Sequence, residues 1–322
     1  MTIRFIHPPL GGPVTGGNRY NREMVGTARR LDIPLDLIEW SGQSNLRALL
    51  AQFDLRQDLL LWDSIFLPQL ALGLGVDVWS RQGMLVHYLP EANPLLHESE
   101  RTQWRQRFHC VAERMRFLVA TGVRIADHLR QQYPECAVFL REPVIDPVFR
   151  QLRWRQRNEG HCGPVRLITV ANLLPAKRQF DLLEWLAAID SDWQWHLAGE
   201  AGFDPNYARR FRRRVRELGL SHKVVWHGSL VPEQLAGLMS TMDLFVSCSA
   251  FESYGMALAE AAAMGLPILT TAVGEAERLL DGHAGKLIIP VGRPDLFAEA
   301  LARWLTDKPF RIGLECRAEQ GL

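Results

Sequence analysis

Two carboxylates stand eight residues apart in the run Phe245-Val-Ser-Cys-Ser-Ala-Phe-Glu252-Ser-Tyr-Gly-Met-Ala-Leu-Ala-Glu260. The run opens on an apolar stretch at 244–246, turns through Ser and Cys, and enters an Ala-, Leu- and Glu-rich segment at 256–264 with the composition of a helix. Gly265 and Pro267 stop that helix, and Ile268-Leu-Thr-Thr271 reads as the next buried strand. Strand, turn and helix in this order make half of a parallel α/β unit, in which ligands bind at the carboxyl ends of the strands. Glu252 falls in the turn and Glu260 about one turn into the helix, so both can face one crevice. Between them the amides of Tyr254, Gly255, Met256 and Ala257 are the donors a helix N-terminus leaves unsatisfied, where the helix dipole favours an anion. Gly255 adds a backbone that a ligand can approach closely. Anion-binding amides with two acceptors for hydroxyls suit a sugar joined to a nucleoside diphosphate. The plainer reading of the same run is an Ala-rich packing helix with two solvated glutamates.

The string Glu252-Ser-Tyr-Gly-Met-Ala-Leu-Ala-Glu260, followed by Ala-x-Gly-Leu-Pro, resembles the donor-site signature of glycosyltransferase family 4, retaining enzymes of GT-B fold. The resemblance implies an α/β chain of two Rossmann-like parallel-sheet domains facing a central cleft. It implies that Glu252 contacts the donor sugar and Glu260 the ribose of the nucleotide. Family members usually carry Gly-Arg-x-x-x-x-Lys-Gly at a turn before a helix. Here the turn is Asn172-Leu-Leu-Pro-Ala-Lys177-Arg178, so the Lys is kept, Asn172 replaces the Arg and Arg178 replaces the last Gly. Lys177, just before a helix from about Gln179, is the candidate cation for the diphosphate. A second cation is missing unless Arg178 supplies it. The turn at Gly199 lines the base pocket in the family, and the segment after 224–227 contacts the base. Gly274-Glu-Ala-Glu277 stands in place of the usual Gly-Gly-x-x-Glu, with Glu275 for the second Gly.

Two candidates lie in the other half of the chain. The loop Pro8-Pro-Leu-Gly-Gly-Pro-Val-Thr-Gly-Gly17 separates a first strand at 3–7 from a helix at 18–31, and it is not Gly-x-Gly-x-x-Gly. In the family a comparable loop touches the donor phosphates. Gly16 and Gly17, immediately before the helix, are the better candidates, with Gly11 and Gly12 competing; alone, the loop reads equally as a flexible turn. His87 closes a strand at 84–88 and precedes Tyr-Leu-Pro. An imidazole there can hydrogen-bond a sugar hydroxyl, as a His does in many family members, or can be satisfied by a neighbouring carbonyl. Asp63 ends the preceding strand and is a lesser candidate for the acceptor side.

Strands at 3–7, 35–39, 59–62, 84–88, 117–121 and 137–140, with helices between, are expected to build an acceptor-side domain over 1–145. Residues 146–163 lose all hydrophobic period and read as a linker. The α/β pattern restarts at 165–170 and continues through strands at 193–198, 224–227, 244–246 and 268–271, giving a donor domain over 164–306. Residues 307–322 form a tail whose counterpart in the family crosses back to the first domain. A helix at 98–116 is amphipathic with a basic face, which reads as solvated sooner than as membrane-bound. The Arg-rich helix around Arg209–Arg216 likewise reads as an exposed face.

Composition narrows the classes. Lys plus Arg number 37 against 36 for Asp plus Glu, so no charge excess argues for nucleic acid. Five cysteines at 110, 136, 162, 248 and 316 form no Cys-x-x-Cys and suit a reducing cytoplasm. The first residues lack a signal-peptide core, and the most apolar stretch, 59–78, is broken by polar residues. Asp190-Ser-Asp192 mimics the metal-binding Asp-x-Asp of other glycosyltransferases but precedes a strand, at the wrong end of a sheet, so no metal is expected. The expectation is therefore a retaining, metal-independent transferase without a cofactor, using a UDP- or GDP-linked sugar. Lys177, Glu252 and His87 are its catalytic candidates. Gly16, Gly17, Asn172, Arg178, Gly199, Tyr254, Gly255, Met256, Ala257 and Glu260, with Lys177, are its donor contacts. The acceptor is expected to be a cell-envelope glycan, a lipid-linked sugar or a small metabolite, and membrane contact at most peripheral. A catalytically silent GT-B subunit is the rival reading. An epimerase or phosphorylase would need acid/base or pyridoxal-phosphate residues that are not found.

Overall fold

Runs such as Leu59-Leu-Leu-Trp-Asp63 and Val165-Arg-Leu-Ile-Thr-Val170 are apolar at most positions, as strands must be when helices cover both faces of a parallel sheet. The computed structural model describes residues 3–11, 15–73, 81–154 and 163–320, in two compact units that meet in sequence at Val144 and Ile145. Residues 12–14 of the first loop, 74–78 of the apolar stretch and 155–162 of the expected linker lie outside the described residues.

The first unit runs β1 (Ile3–His7), α1 (Gly16–Arg30), β2 (Leu35–Glu39), α2 (Leu46–Leu50), β3 (Leu59–Asp63), α3 (Leu67–Gly73), β4 (Gln82–Val86), α4 (Glu98–Ala112), β5 (Phe117–Ala120), α5 (Val123–Gln132) and β6 (Ala137–Leu140). Its sheet is parallel throughout, in the order β2-β1-β3-β4-β5-β6. Ile6, Trp62, Met84 and Leu118 fill one face, where the buried Trp62 indole donates to Gln82 Oε1 at 2.7 Å.

Three expectations shift here. Helix α1 begins at Gly16, not Asn18, because Thr15 caps it by accepting from the Asn18 amide at 3.0 Å, a role Thr fills better than Gly. Gly16 and Gly17 are thus the first helical turn and not the loop before it. Strand β4 ends at Val86, two residues short of the expected end, since pairing with β5 stops at Val86 and the His87 amide turns to Ser64 Oγ at 3.2 Å. Helix α4 stops at Ala112, and its Arg101 pairs with Glu98 at 3.1 Å and with the Glu91 carbonyl, which dilutes the expected basic face.

The second unit runs α6 (Val148–Gln151), β7 (Val165–Val170), α7 (Gln179–Ala187), β8 (Trp193–Ala198), α8 (Pro205–Glu217), β9 (Val224–Gly228), α9 (Pro232–Met239), β10 (Leu244–Ser247), α10 (Met256–Met264), β11 (Ile268–Thr271), α11 (Ala276–Leu279), β12 (Lys286–Ile289), α12 (Pro294–Thr306) and α13 (Lys308–Gln320). The sheet order is β12-β11-β10-β7-β8-β9, again all parallel. A polar chain crosses its core: the Trp195 indole donates to Thr169 Oγ1 at 3.0 Å, whose hydroxyl donates to the Val246 carbonyl at 2.8 Å. It ties β8, β7 and β10 together where apolar packing alone would let strands slip.

The start of the expected linker is structured. Ile145, Phe149 and Trp154 are buried in the second unit, and Trp154 is bonded through its amide to the Met264 carbonyl and through its indole to the Met242 carbonyl at 2.6 Å. Two aromatic anchors outweigh the Pro- and Arg-rich composition that suggested a linker. Helix α13 also packs in the second unit, through buried Leu314 and Ala318. Among the described residues no helix is long and apolar enough to cross a membrane.

Candidate functional site

In a parallel sheet the crevice for a ligand opens where the strand order reverses, because neighbouring connections leave to opposite faces there. In the second unit that point lies between β7 and β10. The turns after these two strands carry Lys177 and Glu252, 75 residues apart in sequence, and bring the Lys177 Nζ to 2.5 Å from Glu252 Oε1. Both side chains are about one-fifth to one-quarter exposed, so the pair is reachable by a ligand. Ser249 also donates to Glu252 Oε1, at 2.9 Å, and its own carbonyl accepts from Thr271 Oγ1 at 2.6 Å. The Glu252 carboxylate is therefore held from two sides, with its second oxygen available to hydroxyls.

Directly after Glu252 the chain enters α10 through Gly255, whose φ of 106° and ψ of 53° are open to glycine and strained for other residues. The first helical bond runs from the Ala259 amide to the Gly255 carbonyl at 3.0 Å, so the amides of Met256 and Ala257 have no acceptor within the helix. Tyr254 precedes the cap, and its carbonyl accepts from the Glu275 amide at 3.1 Å. Glu260, about one turn in, is fully buried. A cation, a carboxylate and a helix N-terminus thus meet at one strand edge.

The substituted positions have structural work. Asn172 Oδ1 accepts from the Glu200 amide at 2.9 Å, and the Asn172 carbonyl accepts from Gln179 at 2.9 Å, locking the turn after β7 to the turn after β8. That second turn begins at Gly199, where an added Cβ would stand 2.1 Å from the Ala171 carbonyl oxygen; only glycine fits. Arg178 occupies the left-handed region at φ 53°, where the family motif has glycine, and its guanidinium pairs with Asp181 at 3.1 Å. Glu275 is buried and pairs with Arg278 at 2.9 Å. Beside Lys177, burial and the nearby Asp181 push the Cys248 thiol up to about 12, and it donates to the Arg178 carbonyl at 3.3 Å. It is a protonated, inert group.

The first unit has its own polar cluster, also where the strand order reverses, beside β1 and β3. His87 Nε2 lies 3.0 Å from Asn21 Oδ1 and 3.3 Å from Asp63 Oδ2. Asn21 donates to Asp63 Oδ2 at 2.6 Å, and the Ile65 amide donates to Asp63 Oδ1 at 2.9 Å. Burial alone would raise the Asp63 carboxyl, but His87, the Ile65 amide and Asn21 together hold it below the ordinary carboxylate range. Gly17 lies against the same ring, a Cβ there falling 3.7 Å from His87 Cδ2, and Tyr20 meets it edge-on at 5.1 Å.

The candidate residues therefore fall into two groups. Lys177, Asn172, Arg178, Gly199, Glu252, Tyr254, Gly255, Met256, Ala257 and Glu260 are built into the second unit, and Gly16, Gly17 and His87 into the first. Ser249, Thr271 and Asn21 carried no role in the sequence. A Ser three residues before a Glu is the only local signal for the first, and the other two bonds span 22 and 42 residues.

The family profile described as Glycosyl transferases group 1 matches residues 151–320, more than half of the chain. A D-inositol 3-phosphate glycosyltransferase of Corynebacterium jeikeium is 30% identical over 116 residues, 36% of this chain and 28% of the relative, so this alignment spans well under half the relative's length. Sucrose-phosphate synthase from Thermosynechococcus elongatus superposes with a TM-score of 0.75 at 18% identity, over 99% of this chain and 93% of that one. HepE of Anabaena, solved with UDP and glucose, gives 0.71 at 16%, over 99% and 94%. These likenesses establish the GT-B fold. The matched profile spans both turns that join Lys177 to Glu252, and the chain belongs to the glycosyl transferases group 1 family.

Proposed function

We propose that this chain transfers a sugar from a nucleoside-diphosphate donor to an acceptor hydroxyl, with retention at the anomeric carbon and without a metal. The observation that carries the reading is Lys177 paired with Glu252 at the mouth of helix α10. Breaking the bond between sugar and diphosphate leaves negative charge on the phosphate oxygens. The Met256 and Ala257 amides, and the Lys177 ammonium once it leaves Glu252, receive that charge. In exchange the donor's own phosphate displaces Glu252 from Lys177, freeing both carboxylate oxygens to orient sugar hydroxyls. Glu260 serves the nucleotide side, and Gly199 lets the base approach the backbone. His87 accepts a hydrogen bond from a sugar hydroxyl.

Retention follows the family resemblance, and Cys248 at this strand edge, held protonated, is no nucleophile for a double displacement. It then proceeds by attack from the side the diphosphate leaves, with the departing phosphate taking the acceptor's proton. Metal independence fits the charge already supplied by Lys177 and the helix. Asp190-Ser-Asp192 lies at the amino end of β8, where the Asp192 carbonyl meets the Val165 amide, away from this edge. UDP is the first base to try, as HepE binds it, with GDP next. We assign the acceptor to cell-envelope glycans or glycolipids, followed by small metabolites, and the enzyme to the cytoplasm with at most peripheral membrane contact.

A thermal-shift panel of UDP, GDP and their sugars tests this on the native chain and on Lys177→Ala. A shift with one base that the variant loses is expected. No shift with any nucleotide at millimolar concentration overturns it. One observation favours a second reading, a silent subunit that supports a partner transferase: Asn172 fills the family's Arg position and is engaged in backbone bonds. Slow donor hydrolysis by the native chain excludes that reading.

A further inference from the structure

We propose that Asp63 and Asn21 are positioning residues that hold His87 with its proton on Nε2, so that Nδ1 is presented as an acceptor to a sugar hydroxyl. The sugar in this statement rests on the proposed transferase reading; the tautomer does not.

Both partners of Nε2 are acceptors. Asn21 turns its oxygen to the ring at 3.0 Å, and the nearer Asp63 oxygen is at 3.3 Å. The orientation of the Asn21 amide is settled by its other contact. Its Nδ2 lies 2.6 Å from Asp63 Oδ2, and the reversed amide would set oxygen against carboxylate. Nε2 therefore carries hydrogen, and a neutral imidazole has only one, so Nδ1 keeps its lone pair. The carboxylate cannot turn to another arrangement, because the Ile65 amide holds its far oxygen at 2.9 Å. Nor can the ring easily flip: Tyr20 packs edge-on against it and is itself tied by its hydroxyl to the Arg141 carbonyl at 2.8 Å. Among the described residues Nδ1 has no hydrogen-bond partner, and the side chain keeps 14% of its surface exposed. Asn21 and Asp63 are buried, on α1 and at the end of β3, and neither is placed to meet a ligand itself. Their chemistry is spent on the imidazole.

The test is the long-range ¹⁵N–¹H correlation spectrum of the histidine rings in the full chain at pH 8, with His87 assigned through His87→Gln. We expect neutral His87 as the Nε2–H tautomer. A dominant Nδ1–H form in the native chain overturns the proposal, and this reading needs no variant to fold. In Asp63→Asn the single tautomer is expected to give way to a mixture; an unchanged spectrum removes Asp63 from the role. UDP-glucose and GDP-mannose are the probes for the ligand. Whichever of them stabilises the chain should move Nδ1 upfield as the lone pair accepts a hydrogen bond, and an unmoved Nδ1 overturns that half. With that donor, Asp63→Asn and His87→Gln should each lower kcat about tenfold, the scale of one hydrogen bond, at unchanged KM. If neither probe binds, the transferase reading fails while the tautomer still stands or falls by itself.

Discussion

The two units solve one problem with different chemistry. In the first, the strand order reverses between β1 and β3; in the second, between β10 and β7. Each places its polar side chains at the carboxyl edge beside that reversal. The first unit closes its edge with an imidazole, an amide and a carboxylate in mutual contact: His87, Asn21 and Asp63 bond one another, and the last two are buried. The second leaves its edge charged and partly open, with Lys177 on Glu252 and the unpaired amides of α10 beside them. One fold thus yields an edge whose polar groups bond one another and an edge that sets a cation beside a helix N-terminus. The difference lies in what the loop after each strand brings, not in the sheets.

The largest effect that would sharpen this contrast is on charge. If the proposed transfer holds, Lys177→Ala should lower turnover about a thousandfold by removing the ammonium assigned to the leaving diphosphate. The His87 ring spectrum should not change. A loss below tenfold in steady-state turnover would mean that the helix amides suffice, and the contrast between the units would weaken.

Next in size is a change in stability confined to the second edge. Gly199→Ala forces a Cβ to within 2.1 Å of a backbone oxygen, and should cost about 3 kcal/mol in denaturant unfolding. Thermal unfolding with and without nucleotide would show whether the base-side turn is lost as well. A variant as stable as the native chain would show that the turn yields, and that Gly199 serves the ligand alone.

Acid should separate the units. Burial lowers His283 and His227 in the second unit below their ordinary value of 6.5. Such a group binds a proton more readily unfolded than folded, so the second unit loses stability as pH falls below about 6.5 toward the lowered value. Asp63 in the first unit is lowered too, and its contribution is also lost as pH falls, but in a lower window. Its carboxyl is held below 3.8, so its contribution is complete above that value and is lost only as pH falls further. Hydrogen exchange followed from pH 7 to pH 5 should therefore loosen the amides around 280–290 before those around 61–65. Equal loosening, corrected for intrinsic exchange, would show that these histidines do not set the difference.

The smallest effect concerns Arg178. At φ 53° it carries left-handed strain of about 1 kcal/mol that glycine would not, while its partly exposed pair with Asp181 contributes little. Arg178→Gly should raise the unfolding midpoint slightly and leave nucleotide binding within twofold. A tenfold loss of binding would make Arg178 the second cation that Asn172 fails to supply.

How much of this was legible in the chain differs between the two edges. Glu252, Gly255 and Glu260 could be placed from spacing because strand, turn and helix are local, and a Gly at a helix entry carries its own conformational reason. Lys177 could be placed only through a resemblance, since a lysine before a helix is common and its partner is 75 residues away. The first edge was nearly silent. A single His and a single Asp at strand ends carry no pattern, and Asn21 reads as an ordinary helical residue.

The sequence by itself determined most of the elements: apolar runs with period two or none for the strands, amphipathic or Ala-rich segments between them, and Gly and Pro at the joints. These are choices made over a few residues, where backbone sterics and local burial decide. It left out one strand, β12 at the edge of the second sheet, and misplaced ends and borders. Pairing with a neighbouring strand, not composition, sets where β4 stops, and two buried aromatic anchors, Phe149 and Trp154, draw residues 145–154 into the second unit. Only the tertiary structure decided which side chains meet. The pairings Lys177 with Glu252, Ser249 with Thr271, and His87 with Asn21 and Asp63 arise because parallel strands distant in sequence end side by side. Hydrogen bonds act over about 3 Å, and nothing in the order of residues along the chain measures that distance.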